Sequence, residues 1–220
     1  MKETMPKGHN KIVLDLEFNP IRDPAARQTA RHEIIEIGAV MLNDSLEQIS
    51  TFREYIKPEL NVIEEKITQL TGITNEKVAD CGSFNEVMHH FMEWIGDTPC
   101  TFYTWSDSDR YVMLDEADLK CPDDPDYDMF YVHWVDLQMI YQRKMGLHKS
   151  MGLANALGTM QIYFAGTEHG ALADAINTAE VMRVISDRKR MEELKHSSVT
   201  FNGKPSESGF HMNNIIIKKK

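Results

Sequence analysis

Three short stretches of this chain put acids where a core residue would be expected. KIVLDLEF carries Asp15 and Glu17, WSDSDR carries Asp107 and Asp109, and HGALADAI carries His169 and Asp174. In the first, a β-prone run over residues 11–18, alternation places Asp15 and Glu17 on one face and Leu14, Leu16 and Phe18 on the other. On a central strand, two carboxylates would share a low-dielectric cleft, where desolvation and mutual repulsion are both costly. A divalent cation removes both problems, and an all-oxygen ligand set favours a hard ion such as Mg²⁺ or Mn²⁺ over zinc. The alternative is an edge strand with a solvated acidic face.

The second stretch follows a predicted strand and opens a helix, a position where ligand sites of α/β sheets gather. Two residues apart on a helix, Asp107 and Asp109 face nearly opposite ways. Ser106 or Asp107 suits the helix cap, which leaves Asp109 as the metal-directed carboxylate; a pure capping role for the cluster is the competing reading. In the third stretch, Asp174 stands in a small, apolar tract over residues 170–176. His169 lies five residues earlier, so the two cannot share a face of one regular helix, but a loop histidine freed by Gly170 can lean over the same site. Imidazole has the proton affinity to accept a proton from water near neutral pH. Its alternative is a surface or capping histidine.

These groups need a scaffold, and the patterning supplies one. Strands are predicted at residues 11–18, 33–42, 48–56, 99–104 and 130–135. Helices are predicted through residues 62–70, closed by Thr71-Gly72, and from a capping box at Ser83 and Glu86 with Val87, Phe91, Trp94 and Ile95 as its apolar stripe. Further helices follow at 107–117, 136–145, 151–157 and 171–191. Residues 21–32 and the acidic stretch 119–128 read as loops. The order is α/β, with a central sheet flanked by helices. Residues 1–195 form one domain, and 196–220 read as a polar, basic-ended tail, flexible or loosely packed.

Composition narrows the function. The chain has 220 residues and a formal net charge of -10, so a broad basic surface for duplex nucleic acid is not expected, and a polyanionic substrate needs a local patch or bound cations. No window is apolar enough for a membrane span, and residues 1–11 lack an apolar signal core. Cys81, Cys100 and Cys121 are widely spaced and form no CxxC pair, which fits a reducing, cytoplasmic setting.

Taken in order, LDLEF, EIIEIGAVML, LTGIT, WSDSDR and HGALADAINTAEV resemble the motifs of the DEDDh (DnaQ-like) 3′-5′ exonucleases, across residues 11–188. Together with WVDLQMIY and MGLANALGTMQIYFAG, they look most like the KapD-like and RNA-trimming exoribonuclease branch. Phe18-Asn19-Pro20 stands where proofreading subunits usually have Thr-Thr-Gly. The resemblance implies an RNase H-like fold, a mixed five-stranded sheet between helices. It implies two Mg²⁺ or Mn²⁺ ions: Asp15, Glu17 and Asp174 hold one, Asp15 bridges to the second, and Asp109 supports that second site. His169 would be the general base, and Leu16 and Phe18 would pack on the terminal nucleotide. The implied substrate is the 3′ end of single-stranded nucleic acid, RNA favoured over DNA, cut to nucleoside 5′-monophosphates. The rival reading is an inactive module of the same fold that binds nucleic acid or a protein partner.

Overall fold

The computed structural model describes residues 9–201. Five strands, β1 (Asn10–Pro20), β2 (His32–Leu42), β3 (Gln48–Tyr55), β4 (Cys100–Thr104) and β5 (Trp134–Asp136), form one sheet in the order β3-β2-β1-β4-β5. The first three are antiparallel neighbours, while β4 and β5 run parallel to β1, so the sheet is mixed and β1 is central. Eight helices are described: α1 (Glu65–Thr71), α2 (Asn75–Val78), α3 (Phe84–Ile95), α4 (Ser108–Lys120), α5 (Leu137–Met145), α6 (Leu153–Thr159), α7 (Ala171–Ser186) and α8 (Arg188–Phe201). None is long and apolar enough to cross a membrane.

The period-two pattern of β1 sorts its side chains into two cores. Ile12, Leu14 and Leu16 pack with α3 and α4, including Phe84, Phe91 and Met113. Val13 faces the other side with Tyr141, Ala175, Ala179 and Ile185 from α5 and α7. Asp15 and Glu17 continue that second face. The helix carrying Asp109 is tied down by charge as well: Lys120 at the end of α4 sits 2.8 Å from Glu116, 2.8 Å from Glu59 and 3.1 Å from Glu33. Glu33 also accepts the backbone N–H of Glu59 at 2.8 Å, which fastens the segment after β3 to β2 and α4.

Several predicted boundaries move. Residues 125–131, whose apolar Phe130 suggested the start of the fifth strand, form a 3₁₀ helix (Pro125–Tyr131), and β5 begins only at Trp134. Pro125 opens that turn, and the Asp124 side chain accepts the N–H of Asp126. Phe130 is apolar because it is wedged between Phe91, Phe102 and Tyr127. A 3₁₀ turn (Ala26–Gln28) interrupts the loop expected over 21–32. The expected stripe of α1 is divided: Ile63 and Ile67 pack with Ile35, Ile73 and Val78, whereas Val62 is 74% exposed, Leu70 is 51% exposed, and the helix starts at Glu65. The single helix predicted over 171–191 is two, because Asp187 is extended and its carboxylate accepts the N–H groups of Lys189 and Arg190, restarting the chain as α8. That helix runs across the domain boundary expected at residue 195, and 202–220 lie outside the described residues. The capping box at Ser83 and Glu86 and the left-handed Gly72 are as predicted.

Candidate active site

The site forms where β1 outruns its parallel neighbour. Pairing of β1 with β4 ends at Val13 and Tyr103, while β1 continues to Pro20. Beyond that point the chain after β4 turns into α4, and the first turn of the helix brings Asp109 against the strand edge. Its Oδ1 accepts the N–H of Leu16 at 3.0 Å, replacing a missing ladder bond. Asp109 is 6% exposed and Glu17 8%.

From the opposite layer comes α7. Gly38 of β2, the ladder partner of Asp15, has no side chain to hold the helix away: a Cβ there would lie 2.0 Å from Leu172 N and 2.1 Å from Ala171 C. This close approach places the first turn of α7 over β1. His169 lies just ahead of it in a left-handed conformation (φ 62°), and its backbone N–H donates to Asp174 Oδ2 at 3.0 Å. The carboxylate therefore folds the loop back, and the side chains of Glu17, His169 and Asp174 offer ligand atoms within 4.8 Å of one another. The His169 ring, expected to lean over the site from the loop, does so within ligand range.

The electrostatics are those of buried, mutually repelling acids. Burial, then the charges of Asp109, Asp174, Glu17 and Glu36, raise Asp15 well above the usual carboxylate range. Burial, then Asp174, Glu36 and Asp109, push Glu17 up to about 8. Asp109 rises to about 7 through burial, against the lowering effect of the Leu16 N–H, and Asp174 rises to about 6 through burial, against the His169 N–H. Asp15, His169 and Asp174 line a cavity of about 260 Å³ with Trp105, Asn155, Phe164 and Glu168. A second cavity of about 550 Å³, lined by Arg53, Thr71 and Gly170, shares His169 as a wall.

Not every expected residue reaches the cleft. Leu16 is 3% exposed within the core, so what it turns toward the site is its backbone N–H. Phe18, past a register shift between Glu17 and Phe18, is partly buried with its ring 4.9 Å from that of His32. Asp107 is the residue at the start of α4, yet its side chain makes no capping bond; Ser106 Oγ accepts the N–H of Ser108 instead. Glu36 was missed. It is 1% exposed, stands opposite Glu17 in the ladder, bonds Arg53 Nε at 2.6 Å and accepts the Ala171 N–H at 3.4 Å. The clue that singled out Asp15, an acid inside an apolar strand, was present in EIIEIGAVML too.

The family model for RNase_T, described as Exonuclease, matches residues 12–182, from the first strand into α7. Together with four convergent acids and a histidine, that decides the assignment. The chain belongs to the DEDDh 3′-5′ exonuclease family. Among relatives of this DEDDh exonuclease, ERI1 exoribonuclease 2 of Mus musculus is 33% identical over 192 residues, covering 76% of this chain and 27% of the mouse protein. The 3′-5′ exoribonuclease 1 of Homo sapiens is 27% identical over 176 residues, covering 76% of this chain and 50% of the human protein. The chain thus spans from about a quarter to half the length of these relatives. The nuclease domain of 3′hExo, a DEDDh family member bound to rAMP, superposes with a TM-score of 0.67 at 24% identity, covering 81% of this chain and 92% of that one. At that identity the likeness is one of fold, and it agrees with the RNase H-like sheet expected from the motifs.

Proposed function

We propose that this chain is a 3′-5′ exonuclease that shortens single-stranded nucleic acid, RNA in preference to DNA, and releases nucleoside 5′-monophosphates. The observation that carries the reading is the convergence of Asp15, Glu17, Asp109 and Asp174 on one cleft, with pKa values raised by burial and mutual repulsion. The fit to a divalent cation is good: the donors are carboxylate oxygens, and their charges stand largely uncompensated. Asp15, Glu17 and Asp174 would hold one Mg²⁺ or Mn²⁺, and Asp15 and Asp109 the second. When bound, such a pair supplies charge stabilisation to the attacking and leaving oxygens of a phosphodiester and lets an acidic protein accept a polyanion.

The chain's own residues do the rest. His169, exposed at the rim and held through its backbone N–H beside Asp174, presents its imidazole to take the proton of the attacking water. Asp109 fixes the strand edge at Leu16 so that Asp15 and Glu17 keep their aim. Trp105 and Phe164 form the aromatic wall of the cavity. The names of the relatives, both exoribonucleases, favour RNA. The free thiols Cys81, Cys100 and Cys121 support a reducing, cytoplasmic setting as part of the same proposal.

The test is incubation of 5′-labelled single-stranded RNA and DNA of equal sequence, with recessed and overhanging ends, in Mg²⁺ or Mn²⁺. A ladder shortening from the 3′ end, faster on RNA and abolished by EDTA, is expected. Cleavage that survives chelation, or internal cuts, would overturn the proposal.

A further inference from the structure

The loop that carries His169 to the start of α7 is exposed from Ala165 to His169. Ala165, Gly166 and Thr167 line the larger cavity and Glu168 the smaller, with His169 on both, so this loop is the partition between them. Among the described residues, its hydrogen bonds come from two side chains of α7. At the near end, the fully buried Asn177 accepts the Ala165 N–H at 2.9 Å and donates to the Ala165 carbonyl at 2.9 Å and to that of Ala173 at 2.7 Å. One amide thus occupies both the donor and the acceptor of a single loop residue, as a paired strand would. At the far end, Asp174 Oδ2 accepts the His169 N–H at 3.0 Å. Between the two, Gly166 lies so close to the helix that a Cβ there would stand 3.0 Å from Ala173 Cβ.

We propose that Asn177 is a positioning residue for His169, fixing the arc from which the imidazole reaches the cleft. This rests on the reading of His169 as the general base. Asp174 and Asn177, three residues apart, share one face of α7 and stand about 4.5 Å apart along its axis, whereas five extended residues would reach about 17 Å. The loop is therefore tied at both ends to one helical turn and bows outward between them, turning through the left-handed Gly166 (φ 89°) and His169 (φ 62°). Releasing either end lets the arc swing and carries the imidazole with it. The two ties differ in kind. Asp174 belongs to the acid cluster and has a cation to serve as well as the loop, while Asn177 is neutral and holds the loop whatever ion the cleft contains. An amide buried this deeply is costly unless it is hydrogen-bonded, and its bonds go chiefly to the loop. Ala165 itself is exposed, so water can take over its N–H and carbonyl. Loss of the amide thus frees the loop without stranding the loop's polar groups in the core.

The experiment is a double-mutant cycle on kcat with single-stranded RNA at saturating Mn²⁺, pairing His169→Ala with Asn177→Leu, which nearly keeps the side-chain volume and removes the three bonds. Asn177→Leu is expected to lower kcat about 10- to 100-fold, the cost of misplacing a reacting group by up to about 1 Å. Its calorimetric Mn²⁺ affinity should stay within about threefold of the parent, because every acid is retained. In the His169→Ala background the same substitution should cost less than about twofold, since a base already removed cannot be misplaced. Gly166→Ala disturbs the same loop from its exposed side, through the left-handed backbone and the contact with Ala173, and leaves the core intact. It is read by the same cycle and decides the question if Asn177→Leu does not fold. An amide with a purely structural role gives equal losses with and without His169; that result, or a kcat within about threefold of the parent, overturns the proposal and leaves His169 as the base. If His169→Ala itself keeps the parent's kcat, the base reading fails and the positioning role falls with it.

Discussion

Replacing Gly38 by alanine tests whether backbone packing at a residue with no side chain of its own sets the chemistry. The new Cβ would stand 2.0 Å from Leu172 N, 2.1 Å from Ala171 C and 2.4 Å from Leu172 Cα. All three are backbone atoms, so no side chain can swing aside. Contact at about 3.5 Å requires the first turn of α7 to retreat by roughly 1.5 Å. Its neighbours His169 and Asp174 retreat with it, and the Ala171 N–H leaves Glu36. A displacement near 1 Å at a reacting centre costs about 10²-fold in rate, and overpacking costs about 1–3 kcal/mol. For a chain of this size that lowers Tm by roughly 2–12 °C. The assay is kcat/KM on single-stranded RNA beside Mn²⁺ affinity by calorimetry, with about tenfold or greater loss of affinity expected, as for partners that orient metal ligands. Ala39→Gly is the control: it empties space in the other core at a cost of about 1 kcal/mol, with no effect on α7. Gly38→Ala within threefold of the parent in kcat/KM, with unchanged Mn²⁺ binding, would refute the argument that this contact positions Asp174.

Asp15→Ala and Asp174→Ala should each abolish turnover and calorimetric Mn²⁺ binding, while Asp15→Ala raises the Tm of the metal-free protein by relieving buried repulsion; retained activity in either would remove that carboxylate from the site. Asp109→Ala should be severely impaired, whereas Asp107→Ala, which breaks no capping bond, should change stability by less than about 0.5 kcal/mol in urea titration; the reverse ranking would reassign the ligand. Glu17, Asp109 and Asp174 hold protons in the folded metal-free state up to about 8, 7 and 6, whereas the unfolded chain releases them near 4. The native state thus binds more protons across that window, so metal-free stability falls as pH rises from about 4 to about 8, and saturating Mg²⁺ removes the fall; urea midpoints that climb over this range would contradict the raised pKa values. His169→Ala should lower kcat by about 10²- to 10⁴-fold as expected for a positioned base, and an unaltered pH–rate profile at similar height would exclude it as the base.

The sequence made the acids legible because they break a rule: in KIVLDLEF, alternation alone puts Asp15 and Glu17 on one face of a strand too apolar for an edge. Helix geometry separated Asp109 from Asp107, and of the two capping candidates, Ser106 and Asp107, it is Ser106 whose side chain accepts an N–H at the helix start. The loop placement of His169 followed from its five-residue distance to Asp174. Glu36 escaped because EIIEIGAVML was read for its strand and not for its acids. Gly38 could not be found by spacing, since its meaning lies in a helix more than a hundred residues downstream. Phe130 misled for a related reason: an apolar residue beside a β-prone run signals burial, and burial on a 3₁₀ turn looks the same as burial in a strand. The break at Asp187 carried a readable signal, an aspartate fit to start a new helix, that a continuous apolar pattern concealed.

The short β4 has a further consequence for solubility. Five residues of β4 lie beside an eleven-residue β1, so the central strand of the sheet has an open border in the middle of the protein. Open borders invite a foreign strand, and proteins guard them with charge or with a covering element. Here the guard is Asp109, which occupies the Leu16 N–H that an incoming strand would use. A protein of this design cannot shed that carboxylate quietly: the loss uncovers a template for strand addition as it ends catalysis. An inactive descendant of this fold would therefore be under pressure to keep the acid, or to lengthen β4 until the gap is closed.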